Sequence, residues 1–268
     1  MRKILIAASI VIIAVVSSIA VTLGGALGPL FGGVRSLAEF YLLNVFNARN
    51  ETLTAMSPEA VTSIVWDYRG LDTLFETVVF YMAIIGCVAL HRGIELIRKG
   101  AEIGLSRIVK TVTKILIPLN IVIAASIALH GHLTPGGGFQ AGAAMAVAPI
   151  IVIVVFSRFF LIRKGITKEV ALSLRSMGLL GIALVALIPL VAWATTGCTA
   201  YVMQNQMKAD SSFSFPAYIG DSLVSGSLIW YNIFEFLAVT FGFAIVFLLL
   251  SVDEKTVKKV LEGEKHGY

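Results

Sequence analysis

The sequence predicts an all-α polytopic membrane protein with about six transmembrane helices and both termini on the cytoplasmic side. Three observations predict it. Hydrophobic residues make up 57% of the 268 and charged residues only 14%, with a mean hydropathy of +0.90, whereas soluble domains carry about 25% charged residues. Six stretches are long and apolar enough to cross a hydrocarbon core, which takes about 20 residues. Basic residues gather on alternate connections: of 21 lysines and arginines, all but Arg35, Arg49, Arg69 and Lys208 fall on the side of the N-terminus, which the positive-inside bias makes cytoplasmic. The net charge of +5 is therefore a topology signal for a multi-pass protein of the cell membrane, with the lipid bilayer as its surroundings, and does not point to nucleic acid.

The expected spans are 4–24, 71–91, 111–130, 139–162, 175–195 and 227–250. The first follows Arg2-Lys3, but its apolar run is longer than the roughly 7–15 residues of a signal peptide, so it reads as a retained helix. The connection 25–70 is too long for a passive loop. Ser57-Pro58-Glu59-Ala60 places an N-cap residue before a proline and predicts a short helix starting there. Residues 25–48 are open between loop, interfacial helix and re-entrant segment. Residues 94–108 carry an apolar stripe at helical spacing and read as a helix lying on the inner interface. The last residues form a charged, helical tail, with Ser251 and Glu254 at capping-box spacing. The cysteines Cys87 and Cys198 cannot form a disulfide framework and read as small buried hydrophobes.

Charged groups at membrane depth are costly and mark candidate sites. Asp72 stands where the second span begins and suits an N-cap. Glu76 lies one turn further in, beyond any cap. Glu235 is eight residues into the last span, with Asn232 and Thr240 about one turn to either side. Lys114 at the inner end of span three can snorkel. Pro118, Pro149 and Pro189 interrupt three spans, and Asn120 can satisfy a carbonyl freed by proline or bond a neighbouring helix.

The stretch HGHLTPGGGFQAG at residues 130–142 stands apart from this apolar background. His130 and His132, two apart, do not share a helical face, and no further metal-ligand motif accompanies them. Neither a nucleophile nor the Lys-Ser/Thr of a phosphate loop is present, so no catalytic residue, metal or cofactor is expected. Gly136, Gly137 and Gly138 permit unusual dihedrals and close approach, and Gly138, Gly142 and Ala146 form a small-residue stripe along the helix that follows. Irregular backbone beside a helix N-terminus is either a tight interhelical joint or part of an ion pathway; both readings stay open on the residues alone.

The segment His132-Leu133-Thr134-Pro135-Gly136-Gly137-Gly138-Phe139-Gln140 resembles the signature of the MnhB or MrpB subunit family of multisubunit sodium/proton antiporters. The resemblance covers about residues 105–250, and Ala141 departs from it where a second glycine is common. Residues 61–76, VTSIVWDYRGLDTLFE, are similar to the small MbhE-type subunit of membrane-bound hydrogenases and to the C-terminal end of the large antiporter subunit. The chain then resembles a fusion: an N-terminal two-helix region with the MbhE-like segment (1–92), an interfacial connector (93–110), a four-helix MnhB-like domain (111–252) and a cytoplasmic tail (253–268).

The resemblance implies an accessory, non-enzymatic subunit in a large membrane complex. Its partners would be other membrane subunits of an Mrp-type antiporter or a hydrogenase-like complex, with sodium and protons as the transported ions. With no lysine at mid-membrane, the chain is not expected to pump alone. Glu76 and Glu235 are the first candidates for the ion route, and Asp72, His130, His132 and Gln140 are its polar neighbours. Pro135, Gly136, Gly137, Gly138, Phe139 and Gly142 form the backbone motif that lets helices line it. The competing expectations are a hydrogenase- or sulfur-reductase-type respiratory complex, a purely structural subunit, and an intramembrane metalloenzyme using the two histidines.

Overall fold

The structure, a computed structural model, describes residues 2–23, 34–93, 104–254 and 257–258. Six of its helices are long and apolar enough to cross a membrane, in agreement with the all-α, multi-pass expectation. The chain divides into two units, Met1–Leu42 and Leu43–Tyr268. The first contains α1 (Arg2–Leu23), the expected first span, and most of α2 (Ser36–Asn44). Part of the stretch left open between 25 and 48 is thus helical, and residues 24–33 lie outside the described residues.

The second unit contains a short helix α3 (Ala60–Ser63) that runs into a π-helical turn (Ile64–Tyr68), then α4 (Gly70–Leu90), α5 (Arg107–His130), α6 (Gly138–Val155), α7 (Arg158–Arg163), α8 (Lys168–Thr196) and α9 (Leu228–Leu250). A two-stranded hairpin, β1 (Tyr218–Ile219) paired antiparallel with β2 (Ser222–Leu223), sits in the connection between α8 and α9. The centre of this unit is α9, which packs mainly on α6 and α8 and also touches α4 and α5; α5 packs on α6.

Small residues set how close these helices come. A Cβ at Gly142 of α6 would lie 2.6 Å from the Val239 Cβ, and one at Gly178 of α8 would lie 2.6 Å from the Phe234 carbonyl oxygen, both on α9. Gly138 and Gly181 are closed in the same way by Glu235 and by the Phe234 ring. With no hydrophobic drive between helices in lipid, such close backbone packing supplies the association energy. The stripe of Gly138, Gly142 and Ala146 therefore has its partner in α9. The matching stripe on α8, through Gly178 and Gly181, was not foreseen from the sequence.

Several expectations are corrected. The fourth span ends at Val155 and does not run on to 162. At Ser157 the backbone takes φ 140°, and the Ser157 hydroxyl accepts the Phe160 amide, starting α7 as a separate helix flanked by Arg158 and Arg163. The fifth span begins at Lys168, so Arg175 is not a boundary residue. It is buried inside α8 with its guanidinium 4.6 Å from the centre of the Tyr81 ring. The short helix is capped not by Ser57 but by Glu59, whose carboxylate accepts the Thr62 amide. Ser251 closes α9 by donating to Leu248 O rather than opening the tail helix.

Pro118, Pro149 and Pro189 lie inside continuous helices. Asn120 donates to Ala144 O across the α5–α6 interface at 3.0 Å. The interfacial helix expected at 94–108 falls largely on 94–103, outside the described residues; from Ser106 onward the chain already caps and enters α5. Most of the expected tail helix also lies outside them.

Two substitutions test the packing. Gly142→Leu and Gly178→Leu each force α9 away from one neighbour. Overpacking of this kind costs on the order of 1–3 kcal/mol and is expected to lower the thermal unfolding midpoint in detergent. Gly86→Ala in α4, where nothing lies within 4 Å of an added Cβ and the backbone is helical, is the control for substitution of glycine as such and is expected to leave the midpoint unchanged or slightly raised.

Candidate functional site

The first turn of α6 determines the site. Four amides at a helix start have no partner within the helix, and in a membrane water cannot be relied on to satisfy them. The residue before α6 is Gly137, which offers no side-chain cap, with φ 149°, a conformation glycine tolerates. The cap comes from α9 instead. Asn232 Oδ1 accepts the Gly138 amide at 3.3 Å, and the Phe139 amide faces the Glu235 carboxylate. At Gly138 a Cβ would meet the Glu235 Oε2 at 2.7 Å, so a glycine is needed for the carboxylate to reach the helix end.

The π-helical turn supplies the other side. Trp66, fully buried, donates its indole N–H to Glu235 Oε2 at 3.3 Å and stacks flat on Tyr231 of α9, with ring centres 4.5 Å apart and planes 5° from parallel. The segment leading to it is fastened onto the turn after α5. Ser57 donates to His132 O at 2.5 Å, and Thr62 Oγ1 donates to Gly131 O at 2.6 Å. Backbone turns of this width are often found at functional sites. Here the turn brings Trp66 in from the loop to the buried acid.

Between α4, α6, α9 and the π-helical turn lies a cavity of about 290 Å³. Glu76, Gln140, Asn232 and Glu235 line it together with three threonines, Thr62, Thr73 and Thr77. Glu235 is 8% exposed, while Glu76 and Gln140 are exposed. Asn232 Nδ2 is buried with no hydrogen-bond partner. Glu76 also lines a shallow surface groove with Asp72 and Arg69. The chemistry on offer is two carboxylates, one sealed by donors and one facing outward, with the Gln140 and Asn232 amides in the same lining.

The structure thus brings Glu76, Glu235 and Gln140 to one cavity and leaves Asp72, His130 and His132 out of its lining. Asp72 is not the cap of α4: it sits in the first turn and holds an ion pair with Arg69, the residue before the helix. His130 ends α5, exposed, with Nδ1 at 3.0 Å from Ser126 O. His132 is buried and bound through Nε2 to Leu223 O of the hairpin at 3.0 Å. Burial pushes its imidazole below the ordinary histidine range despite the Leu223 hydrogen bond, and His130 adds to the lowering. It is a neutral tie between the glycine turn and the hairpin. Among the described residues, no group of three or more His, Cys, Asp or Glu is placed to hold a metal ion. Pro135 is exposed at the edge of the turn.

Two roles were missed from the sequence. Trp66 stood within a recognised stretch without a function, although a buried indole N–H needs an acceptor. Asp67 stood beside it only as part of the expected end of the short helix. Its side chain is 2% exposed, with the Lys208 ammonium 3.8 Å away. Nothing in a linear reading links Lys208, in the loop after α8, to Asp67.

Comparison with known proteins places this architecture. The chain is 25% identical over 228 residues to an uncharacterized protein of Methanocaldococcus jannaschii, covering 78% of this chain and 82% of the relative. Its fold is similar to a chain of the Mrp complex from Dietzia sp. DQ12-45-1b, with a TM-score of 0.62 at 18% identity. That match covers 95% of this chain but only 26% of the longer Mrp chain. It is similar as well to a chain of the membrane-bound sulfane sulfur reductase, an archaeal respiratory membrane complex, with a TM-score of 0.61 at 24% identity, covering 95% of this chain and all of the other. Residues 108–245, α5 to α9 with the glycine turn and the acid that caps it, match the domain related to the MnhB subunit of the Na+/H+ antiporter, and the chain belongs to that family.

Proposed function

We propose that the chain is an accessory membrane subunit of a multisubunit sodium/proton antiporter module, and that Glu235 and Glu76 form part of its ion route. The observation that carries this is the cavity that joins the two carboxyls at membrane depth. Intramembrane acids lining a cavity mark ion pathways, and helix ends at membrane depth are where transporters bind ions. Glu76 is exposed on α4 at the mouth of that cavity. A carboxylate open to the hydrocarbon would be costly, so a neighbouring membrane subunit is expected to cover it. Asp72, in the groove shared with Glu76, is the surface end of the route, and Gln140 with Asn232 bridges the two acids. The chain itself carries out no enzymatic reaction and needs no cofactor in this reading.

The division at the connector follows the same logic. The resemblance of 61–76 to MbhE-type subunits would make residues 1–92 a second subunit-like part joined to the MnhB-like domain of 111–252, although residues 43–92 pack in one compact unit with that domain. A second reading places the same subunit in a redox-driven complex. It is favoured by the likeness that spans the whole length of a sulfane sulfur reductase chain. Co-purifying iron–sulfur subunits would select it, and their absence from a complex active in exchange would select the antiporter.

Sodium-dependent proton movement in vesicles holding the intact complex is the test. Glu235→Gln and Glu76→Gln keep shape and hydrogen bonding but remove the charge. Each is expected to lower exchange about tenfold or more, the equivalent of about 1.4 kcal/mol of ion stabilisation, with subunit content unchanged. Unchanged exchange in assembled variants would leave the two acids structural. Trp66→Phe keeps the stack on Tyr231 and removes the N–H to Glu235. It is expected to reduce stability by about 1–3 kcal/mol through the unsatisfied acceptor, read as a lower unfolding midpoint, and to alter exchange less than Glu235→Gln.

A further inference from the structure

A second cavity, of about 400 Å³, opens on the other side of the π-helical turn, at the end of the bundle where α4, α6 and α9 begin. Asp67, Arg69, Asp72, Tyr201 and Lys208 line it. Asp67 differs from Asp72 and Asp210 nearby. Asp72 is exposed and paired with Arg69, and Asp210 accepts a hydrogen bond from the Tyr201 hydroxyl. The Asp67 side chain is buried, and its Oδ2 accepts no hydrogen bond. The Lys208 ammonium is 3.8 Å from that oxygen, close enough for an ion pair and too far for a hydrogen bond. A buried carboxylate with so loose a counter-charge is poorly compensated.

Asp67 is also next to the buried acid by two routes. Its chain neighbour Trp66 donates to Glu235. Tyr231, stacked on Trp66, stands one helical turn before Glu235 on α9, within electrostatic reach of Asp67, and its buried hydroxyl has no hydrogen-bond partner. The charged and titratable groups around Asp67 are Lys208 and Tyr201 from the loop after α8, Tyr231 from α9 and its own neighbour Tyr68. Arg69 and Asp72, from the start of α4, neutralise one another across the same cavity.

We propose that Asp67 is a proton-binding site on the water-facing side of the Trp66–Glu235 contact, at which a proton and the Lys208 ammonium exchange places. One proton moves from water in the cavity onto an Asp67 carboxylate oxygen, and one ion pair breaks. Lys208, 31% exposed, then turns to solvent and the cavity widens beside Trp66. On deprotonation the ammonium returns. Burial raises the Asp67 carboxyl to about 6, against the lowering by Lys208, so the exchange falls in the range over which an antiporter meets changing pH. The gating of exchange at Glu235 rests on the ion-route reading above, whereas the titration of Asp67 does not.

The experiment uses the intact purified complex and separates the two. Difference infrared spectroscopy between pH 5 and 8 is expected to show a protonated-carboxyl band that titrates near pH 6 and is absent in Asp67→Asn. Lys208→Met removes the opposing charge and is expected to move that midpoint up by about one pH unit. Lys208 is partly exposed, so this variant carries the test even if Asp67→Asn fails to assemble. The pH profile of exchange in vesicles should shift in the same direction in Lys208→Met. No titrating band, or a midpoint that Lys208→Met leaves in place, overturns the site. A band that behaves as expected with an unchanged exchange profile overturns the gating. If exchange proves independent of Glu235 while the band titrates, the ion-route reading fails and the proton site stands.

Discussion

The structure of this unit depends on how the start of α6 is satisfied. A helix that begins inside a membrane protein presents free amides and the positive end of its dipole, and lipid offers nothing to meet them. Gly137 cannot do so, having no side chain. Asn232 and Glu235 do it from α9, and this fixes the axial register of α9 against α6: a shift by one residue would leave the amides bare and the carboxylate unpaired. The glycine stripe then follows from the cap. For Glu235 to touch the helix end, Gly138 must lack a Cβ, and for α9 to stay close along the next turn, Gly142 must lack one too.

The same contact organises the loop. Glu235 takes a second donor from Trp66, and Trp66 can arrive only because the chain before α4 folds back over the turn that follows α5. Ser57 and Thr62 satisfy the carbonyls of His132 and Gly131, and the π-helical turn carries the indole across to α9. Asn205 performs a parallel task nearby, donating to Ala55 O at 3.0 Å and accepting the Ser227 amide at 2.9 Å just before α9 begins. His132, held neutral by burial and bound to Leu223 O, adds the hairpin. Polar side chains at this end of the unit thus join segments far apart in sequence, and the apolar helices below them need only small residues and close fit.

Much of this was legible in the sequence. Hydropathy located all six long helices, and the HGHLTPGGGFQAG stretch announced both irregular backbone and a small-residue stripe. What resisted reading was partnership. The sequence places Gly178 and Gly181 on α8 as plainly as Gly138 and Gly142 on α6, yet only the fold shows that both stripes clasp the same helix. Hydropathy could not see that Ser157 would end α6 early, because the following FFLI run is as apolar as the span before it. The two acids favoured as candidates do share a cavity with Gln140, since side chains at membrane depth have few places to go. The boundary residues Asp72, His130 and His132 had water, loops and each other to choose among, and spacing alone does not decide between those.

The two acids also differ in what they ask of their surroundings, and that difference bears on why the chain works in company. Glu235 has its donors within the chain: the Trp66 indole and the Phe139 amide at the start of α6. A charge placed there is met by a preformed set of dipoles, as anions are at helix starts generally. Glu76 has none of this. It projects from an apolar helix between Phe75 and Thr77, exposed at the mouth of the cavity it shares with Glu235. Nothing in the described residues closes over it. An acid in that position is tolerable only where a second protein surface supplies the missing donors, or where an ion does so in passing. The inner half of the site is therefore complete in one chain and the outer half is not, and the helix that carries Glu76 is the face on which a neighbouring subunit has a physical reason to settle.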